Sequence, residues 1–232
     1  MIRVNRASAD DLRSMKSNRL SRVSLGAACL ACSATAVCGQ EVEIRGWYEA
    51  GGTVMPSAKL SSFMTEIVSG TKVEFDPGFR FGIGLGTDIS RYVALELESG
   101  FHYNSIRSIS DATSSDGQIY QIPLLANVVV QFPNRTRFVP VIGAGAGAIS
   151  ALLDADNLTI GGSTFSGDDQ AWTFAYQGYA GLQYNFADNL GVGVFYHYMV
   201  SEAPSWGDGP DGRVKFNRLR NHSLALTLNF RF

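Results

Sequence analysis

From about Trp47 to the last residue, apolar and polar side chains alternate with period two. The clearest run is the last. Leu224, Leu226, Leu228, Phe230 and Phe232 hold even positions, and Ser223, Ala225, Thr227, Asn229 and Arg231 hold odd ones. An extended chain points successive side chains to opposite faces, so this pattern predicts a strand with one greasy and one polar face. Val192–Val200 repeats it, as do Trp172–Phe186, Tyr120–Phe132 and Val93–Ser105. Residues 138–149 read as a Gly/Ala strand with Gly143, Gly145 and Gly147 on one face. Residues 73–86 set Phe75, Phe79, Phe81, Ile83 and Leu85 against Asp76, Gly78, Arg80, Gly82 and Gly84. The first strand, about residues 46–56, has the weakest pattern. Eight strands result, the longer ones about 10 to 16 residues, enough to cross a bilayer at a tilt.

The connectors alternate in length. Ser57–Thr71, Arg107–Asp116, Ala151–Gln170 and Ser201–Arg220 are long; Thr87–Tyr92, Pro133–Thr136 and Ala187–Asn189 are short. Transmembrane barrels have short periplasmic turns, longer external loops and, with an even strand number, both termini on the periplasmic side. A lipocalin-like barrel or a β-sandwich would also alternate, with its apolar face inward. Side-chain bulk decides. The apolar face carries most of the aromatics, and the other is rich in Gly, Ala, Ser, Thr and Gln, which suits a narrow interior. Trp172 and Tyr198 sit where an aromatic girdle would lie. The pattern therefore predicts an all-β fold: an eight-stranded antiparallel up-and-down transmembrane β-barrel.

The N-terminus changes the picture. Arg19 and Arg22 precede an apolar run from Val23 to Val37, and small residues follow, with Ala34-Thr35-Ala36 and Val37-Cys38-Gly39 as cleavage sites. This predicts a cleaved signal peptide over residues 1–39, with Met15 an alternative start, and a barrel domain over residues 40–232. Leu30-Ala31-Cys32 is a poor lipobox, because Leu stands one place too close to Cys. All three cysteines lie in that segment, so the body has no disulfide framework. The segment also holds six of the 19 basic and two of the 21 acidic residues, leaving 13 and 19, net −6. Nothing basic is concentrated enough for nucleic-acid binding.

The chain resembles the eight-stranded outer-membrane β-barrel family related to the OmpA transmembrane domain and to OmpX-like proteins. It ends in Asn229-Phe230-Arg231-Phe232, similar to the family's C-terminal signal. Ile122-Pro123-Leu124-Leu125-Ala126-Asn127 resembles the recurrent fourth strand, and the run from Phe138 to Gly147 resembles the glycine-rich fifth. The similarity covers roughly residues 45–232. It implies the outer membrane of a Gram-negative-type bacterium, contact with membrane lipid and lipopolysaccharide, delivery to the assembly machinery through Phe232, and a monomer. Members include adhesins, structural proteins and small channels. The wall-anchoring role of longer relatives, which carry a peptidoglycan-binding domain, is not carried over.

Candidate chemistry is sparse. The inward face gathers Asp76, Arg80, Glu96, Glu98, His102, Gln177, Gln183, Asn185, His197 and Arg231. Charges in a narrow barrel must pair, so these predict a satisfied polar plug, with a gated narrow pore as the functional alternative. In the fourth external loop, an exposed Trp206 with Arg213, Lys215, Arg218 and Arg220 is a candidate recognition surface. Asp154, Asp156, Asp168 and Asp169 make the third loop acidic without the spacing of a calcium site. His197 is followed by Tyr198 and Met199, lacking the Ser two places on that barrel-type lipid A deacylases use. His222 and Ser223 fall on opposite faces. The glycine series lack a phosphate-loop ending. The expectation is a non-enzymatic outer-membrane barrel, without cofactor or metal, serving a structural or surface-recognition role through four external loops toward an unidentified extracellular ligand. A small channel is the alternative, and a lipid-modifying enzyme a distant third.

Overall fold

A period-two strand must expose one face and enclose the other, and the computed structural model shows which is which. It describes residues 43–63, 70–110, 112–160, 163–207 and 214–232. The predicted signal peptide and Arg213 lie outside these. In chain order the strands are β1 (Ile44–Val54), β2 (Ala58–Ser62), β3 (Lys72–Phe75), β4 (Gly78–Asp88), β5 (Val93–Ile109), β6 (Ala112–Gln131), β7 (Phe138–Ile160), β8 (Ser163–Ala187), β9 (Leu190–Ser201), β10 (Ser205–Trp206), β11 (Val214–Phe216) and β12 (Leu219–Arg231).

Eight strands close a ring in the order β1, β4, β5, β6, β7, β8, β9, β12 and back to β1, every pairing antiparallel. This is the barrel that the alternation predicts. Leu226 is 69% exposed and shares the outer surface with Val128, Leu97 and Tyr196, whereas Glu96 and Gln177 are buried inside. A soluble carrier would reverse those faces. Aromatic side chains edge this greasy surface at two levels, with Phe79, Tyr103, Tyr120 and Trp172 at one end and Tyr92, Phe132, Phe138 and Phe186 at the other. Tyr120 and Phe132 are twelve residues apart, roughly 28 Å of height on a strand tilted 45°, which matches the apolar band of an outer-membrane barrel.

The long connectors differ from expectation. Residues 107–116 and 151–170 are mostly strand: β7 has 23 residues and β8 has 25, where spanning takes about 9–11. Their inward positions stay apolar beyond the outer aromatic level, through Ala151, Leu153 and Ala155, then Leu158 and Ile160 after a register shift. The stretches 57–71 and 201–220 contribute β2, β3, β10 and β11, which pair in the series β5–β3–β2–β11–β10. Outside the membrane, β2 and β3 thus take over from β1 and β4, and β10 and β11 from β9 and β12. The barrel continues upward as a β-cap with an apolar core built around Leu60, Val73, Ile119, Leu153, Trp206 and Phe216.

One face flips where the two levels meet. Phe75 pairs with Ile106 and Phe79 with Tyr103, so four residues on one side match three on the other. The extra residue at Asp76-Pro77 acts as a bulge and inverts the side-chain phase. Phe75, expected on the outer face, is therefore buried in the cap core.

Inside the ring, glycine makes room for bulk on neighbouring strands. A Cβ at Gly84 would meet the Trp47 indole at 2.3 Å. Gly84→Ala is expected to overpack the lumen and cost about 1–3 kcal/mol of stability. The check is the urea midpoint of folded protein in lipid vesicles.

Candidate functional site

The lumen is built from alternate residues of all eight ring strands. Near the periplasmic end, β1 aims Arg45 at two carboxylates: Nη1 donates to Asp88 Oδ1 at 3.0 Å, and Nε lies 3.0 Å from Glu96 Oε1. Trp47 Nε1 donates to Glu96 Oε2 at 2.9 Å. Two positions on, Glu49 meets Arg80 of β4, whose Nε donates to Glu49 Oε1 at 2.5 Å and whose Nη2 donates to Glu98 Oε1 at 2.8 Å. The second oxygen of Glu98 accepts from Asn127 Nδ2 at 2.8 Å and from Gln177 Nε2. Gln177 also donates to Asn127 Oδ1 at 2.9 Å. His197 Nε2 lies 3.1 Å from Glu49 Oε2, with Tyr179 stacked on the imidazole.

Arginine suits this task, because a planar guanidinium engages two carboxylates while staying charged. Burying these ions costs several kcal/mol each, which only close pairing offsets. Between Trp47, Glu96, Tyr179, Phe195 and His197 lies a cavity of about 20 Å³, room for a single water. Leu125, Ile149, Ala175 and Met199 pack as an apolar group inside the ring, and the cap core follows above.

Of the predicted lumen residues, the structure brings Arg80, Glu98, Gln177 and His197 into one network through Glu49, and places Glu96 in a neighbouring cluster with Arg45, Trp47 and Asp88. His102 is buried on the same inward face, with its Nδ1 3.5 Å from Asn221 Nδ2; Asn221 in turn donates to Gln121 at 2.8 Å. Gln183 donates to Asn185 Oδ1 at 2.5 Å. Arg231 stands at the periplasmic rim, where Nη2 donates to Gln131 at 3.1 Å and Nε is 3.9 Å from Asp88. Asp76 is a correction. The bulge turns it outward, where it accepts from Arg107 Nε at 2.7 Å on the surface. Sequence reasoning missed Arg45, Trp47, Glu49 and Asp88. The period-two set Arg45, Trp47, Glu49 was the available signal, but the outer positions Gly46, Ala50 and Gly52 are too small to mark an apolar face.

The recognition surface also changes. Trp206, expected to be exposed, has 0% exposure. Its ring meets Phe216 edge-on at 5.5 Å, and its Nε1 donates to Ala151 O at 2.8 Å. An indole with apolar neighbours on all sides and one carbonyl in reach gains more from the core than from water. Lys215, Arg218 and Arg220 are exposed as expected, and Arg218 Nε donates to Glu202 at 3.0 Å. Asp169 has a structural part: Oδ1 accepts from Gln170 N at 2.8 Å and Oδ2 from Gly207 N at 2.5 Å, which ties the end of β10 to β8. Ser223 points inward to Thr53, while His222 points outward, with Tyr196 Oη 2.6 Å from its Nδ1.

A family described as the outer membrane protein beta-barrel domain matches residues 24–232. Among solved structures, Neisserial surface protein A aligns with TM-score 0.50 and 17% identity over 83% of this chain and 100% of that one. Outer membrane protein AlkL aligns with TM-score 0.50 and 14% identity over 85% and 94%. OprG from Pseudomonas aeruginosa aligns with TM-score 0.48 and 15% identity over 82% and 95%. At these identities the likeness is one of fold. No curated protein matches the chain.

Proposed function

The chain belongs to the outer membrane protein beta-barrel family and resides in the outer membrane of a Gram-negative-type bacterium, and from that premise we propose that it is a closed, non-catalytic barrel whose working part is the β-cap it holds at the cell surface. The filled lumen carries this reading. Ion pairs come first, then a level where the small apolar group sits beside the buried His102, Gln121 and Asn221, then the apolar cap core, and the cavity beside Trp47 and His197 has space for about one water. A gated pore would have to part Arg80 from both of its glutamates and also wet the apolar cap core above. A scaffold for surface recognition needs neither. Its outer apolar band would meet acyl chains, including those of lipopolysaccharide. Phe232 is 80% exposed, open to contact with the assembly machinery.

The test is electrical. Protein whose folding is confirmed by heat-modifiable gel migration is expected to give no conductance steps in a planar bilayer. Stable steps that change when Glu98 is neutralised would overturn the closed-barrel reading in favour of a channel.

A further inference from the structure

The cap is electrostatically two-sided. Around it run β11, β2, β3 and β5, then β6, β7 and β8. The first arc and the start of β12 expose Lys59, Lys72, Arg107, Lys215, Arg218 and Arg220. Three of these are matched within the arc: Lys72 with Glu74 at 2.6 Å, Arg107 with Asp76 at 2.7 Å and Arg218 with Glu202 at 3.0 Å. Lys59, Lys215 and Arg220 have no carboxylate within 4 Å among the described residues. The second arc is the opposite. Strands β6, β7 and β8 contain five aspartates and no lysine or arginine. Asp154 and Asp168 are direct cross-strand partners on the outer face, and Asp116 is exposed on β6 nearby. Like charges placed directly opposite on a sheet destabilise it, so the fold carries a cost that a cationic partner would relieve.

We propose that the caps of neighbouring copies associate side by side in the membrane, the basic arc of one against the acidic arc of the next. Three observations favour a second copy over other occupants. Both arcs belong to one chain and carry opposite charge. The membrane holds every copy in the same orientation, so the arcs meet at one level: Arg107 lies four residues beyond the outer aromatic Tyr103, and Asp116 four residues beyond its partner Tyr120. A layer of glycolipid phosphate would satisfy the basic arc but repel the acidic one, whereas a second copy answers both. Because the two arcs are different surfaces, the contact is head-to-tail and does not close on itself, which gives rows rather than pairs. The monomer implied by the family resemblance is then the isolated unit. This inference rests on the cell-surface reading of the cap, but not on the barrel being closed.

The experiment uses full-length protein in zwitterionic phospholipid vesicles free of lipopolysaccharide, prepared as a mixture of light and heavy isotope forms. A zero-length carbodiimide reagent joins lysine to aspartate only at contact. Mixed-isotope cross-links from Lys59 or Lys215 to Asp116, Asp154 or Asp168 are expected at low salt and are expected to be lost at high salt, where screening shortens the reach of charge. Reversing one arc (Lys59→Glu, Lys215→Glu, Arg220→Glu) or the other (Asp116→Lys, Asp154→Lys, Asp168→Lys) should abolish cross-linking in either variant alone. Mixing the two variants should restore it. Heat-modifiable migration verifies that each variant is folded. Absence of mixed-isotope products in wild-type vesicles would overturn the proposal. So would products that persist after charge reversal, or a basic arc that is protected only when phosphorylated glycolipid is added. A conductance result leaves these outcomes unchanged, so the two readings fail separately.

Discussion

Replacing Arg80 with methionine is expected to destabilise the folded barrel by about 3–5 kcal/mol, the cost of leaving buried carboxylates without their cation. Arg80 is 2% exposed and bridges Glu49 and Glu98, themselves buried. Methionine keeps much of the volume, so the loss reports charge rather than packing. Asn127 and Gln177 would still donate to Glu98, and His197 would still face Glu49, but neither supplies a fixed positive charge. The diagnostic is rescue. Adding Glu49→Gln and Glu98→Gln to Arg80→Met removes the stranded anions, and most of the lost stability should return, because a buried ion pair and a neutral replacement are often close in energy. Urea unfolding in vesicles measures all three variants. A loss below about 1 kcal/mol for Arg80→Met would mean that water already solvates the pair, which would undercut the filled lumen.

The second large effect is expected in the cap. Trp206→Ala should cost about 3–5 kcal/mol, the usual loss when a fully enclosed large aromatic is truncated. The indole packs on Phe216 and donates to the Ala151 carbonyl, so truncation opens a void and strands that acceptor. The ring of eight strands holds none of these contacts at membrane level. The damage should therefore stay local: protease should cut within residues 201–220 of the variant on intact cells, while heat-modifiable migration is retained. Loss of migration as well would mean that cap and ring fold as one unit.

These two sites differ in how readable they were. Arg80, Glu96 and Glu98 could be placed inside because each interrupts a glycine-rich or polar face opposite bulky residues, and period two is enforced by geometry alone. Trp206 could not. Its segment is two residues of strand, and although its pairing partner β11 stands eight residues on, the ends of β7 and β8 that it packs on lie far away in the chain. A Trp flanked by Gly, Ser and Pro reads as an exposed loop until those partners are known. Asp76 was misplaced because a one-residue bulge leaves no mark in composition yet reverses every face beyond it. The ring order and the lipid-facing surface were legible, since β-hairpins joined by short turns leave little choice of neighbour. The cap was not, because its strands are short and paired across the whole length of the chain.

The cap also bears on the barrel's wall. In the membrane the chain's first and last strands meet at β1–β12, and directly above, β2 meets β11. The join between the two ends of the chain is thus clipped a second time on the outside, where apolar residues from both ends interlock. Parting β1 from β12 along this line would therefore mean unfastening that clip as well.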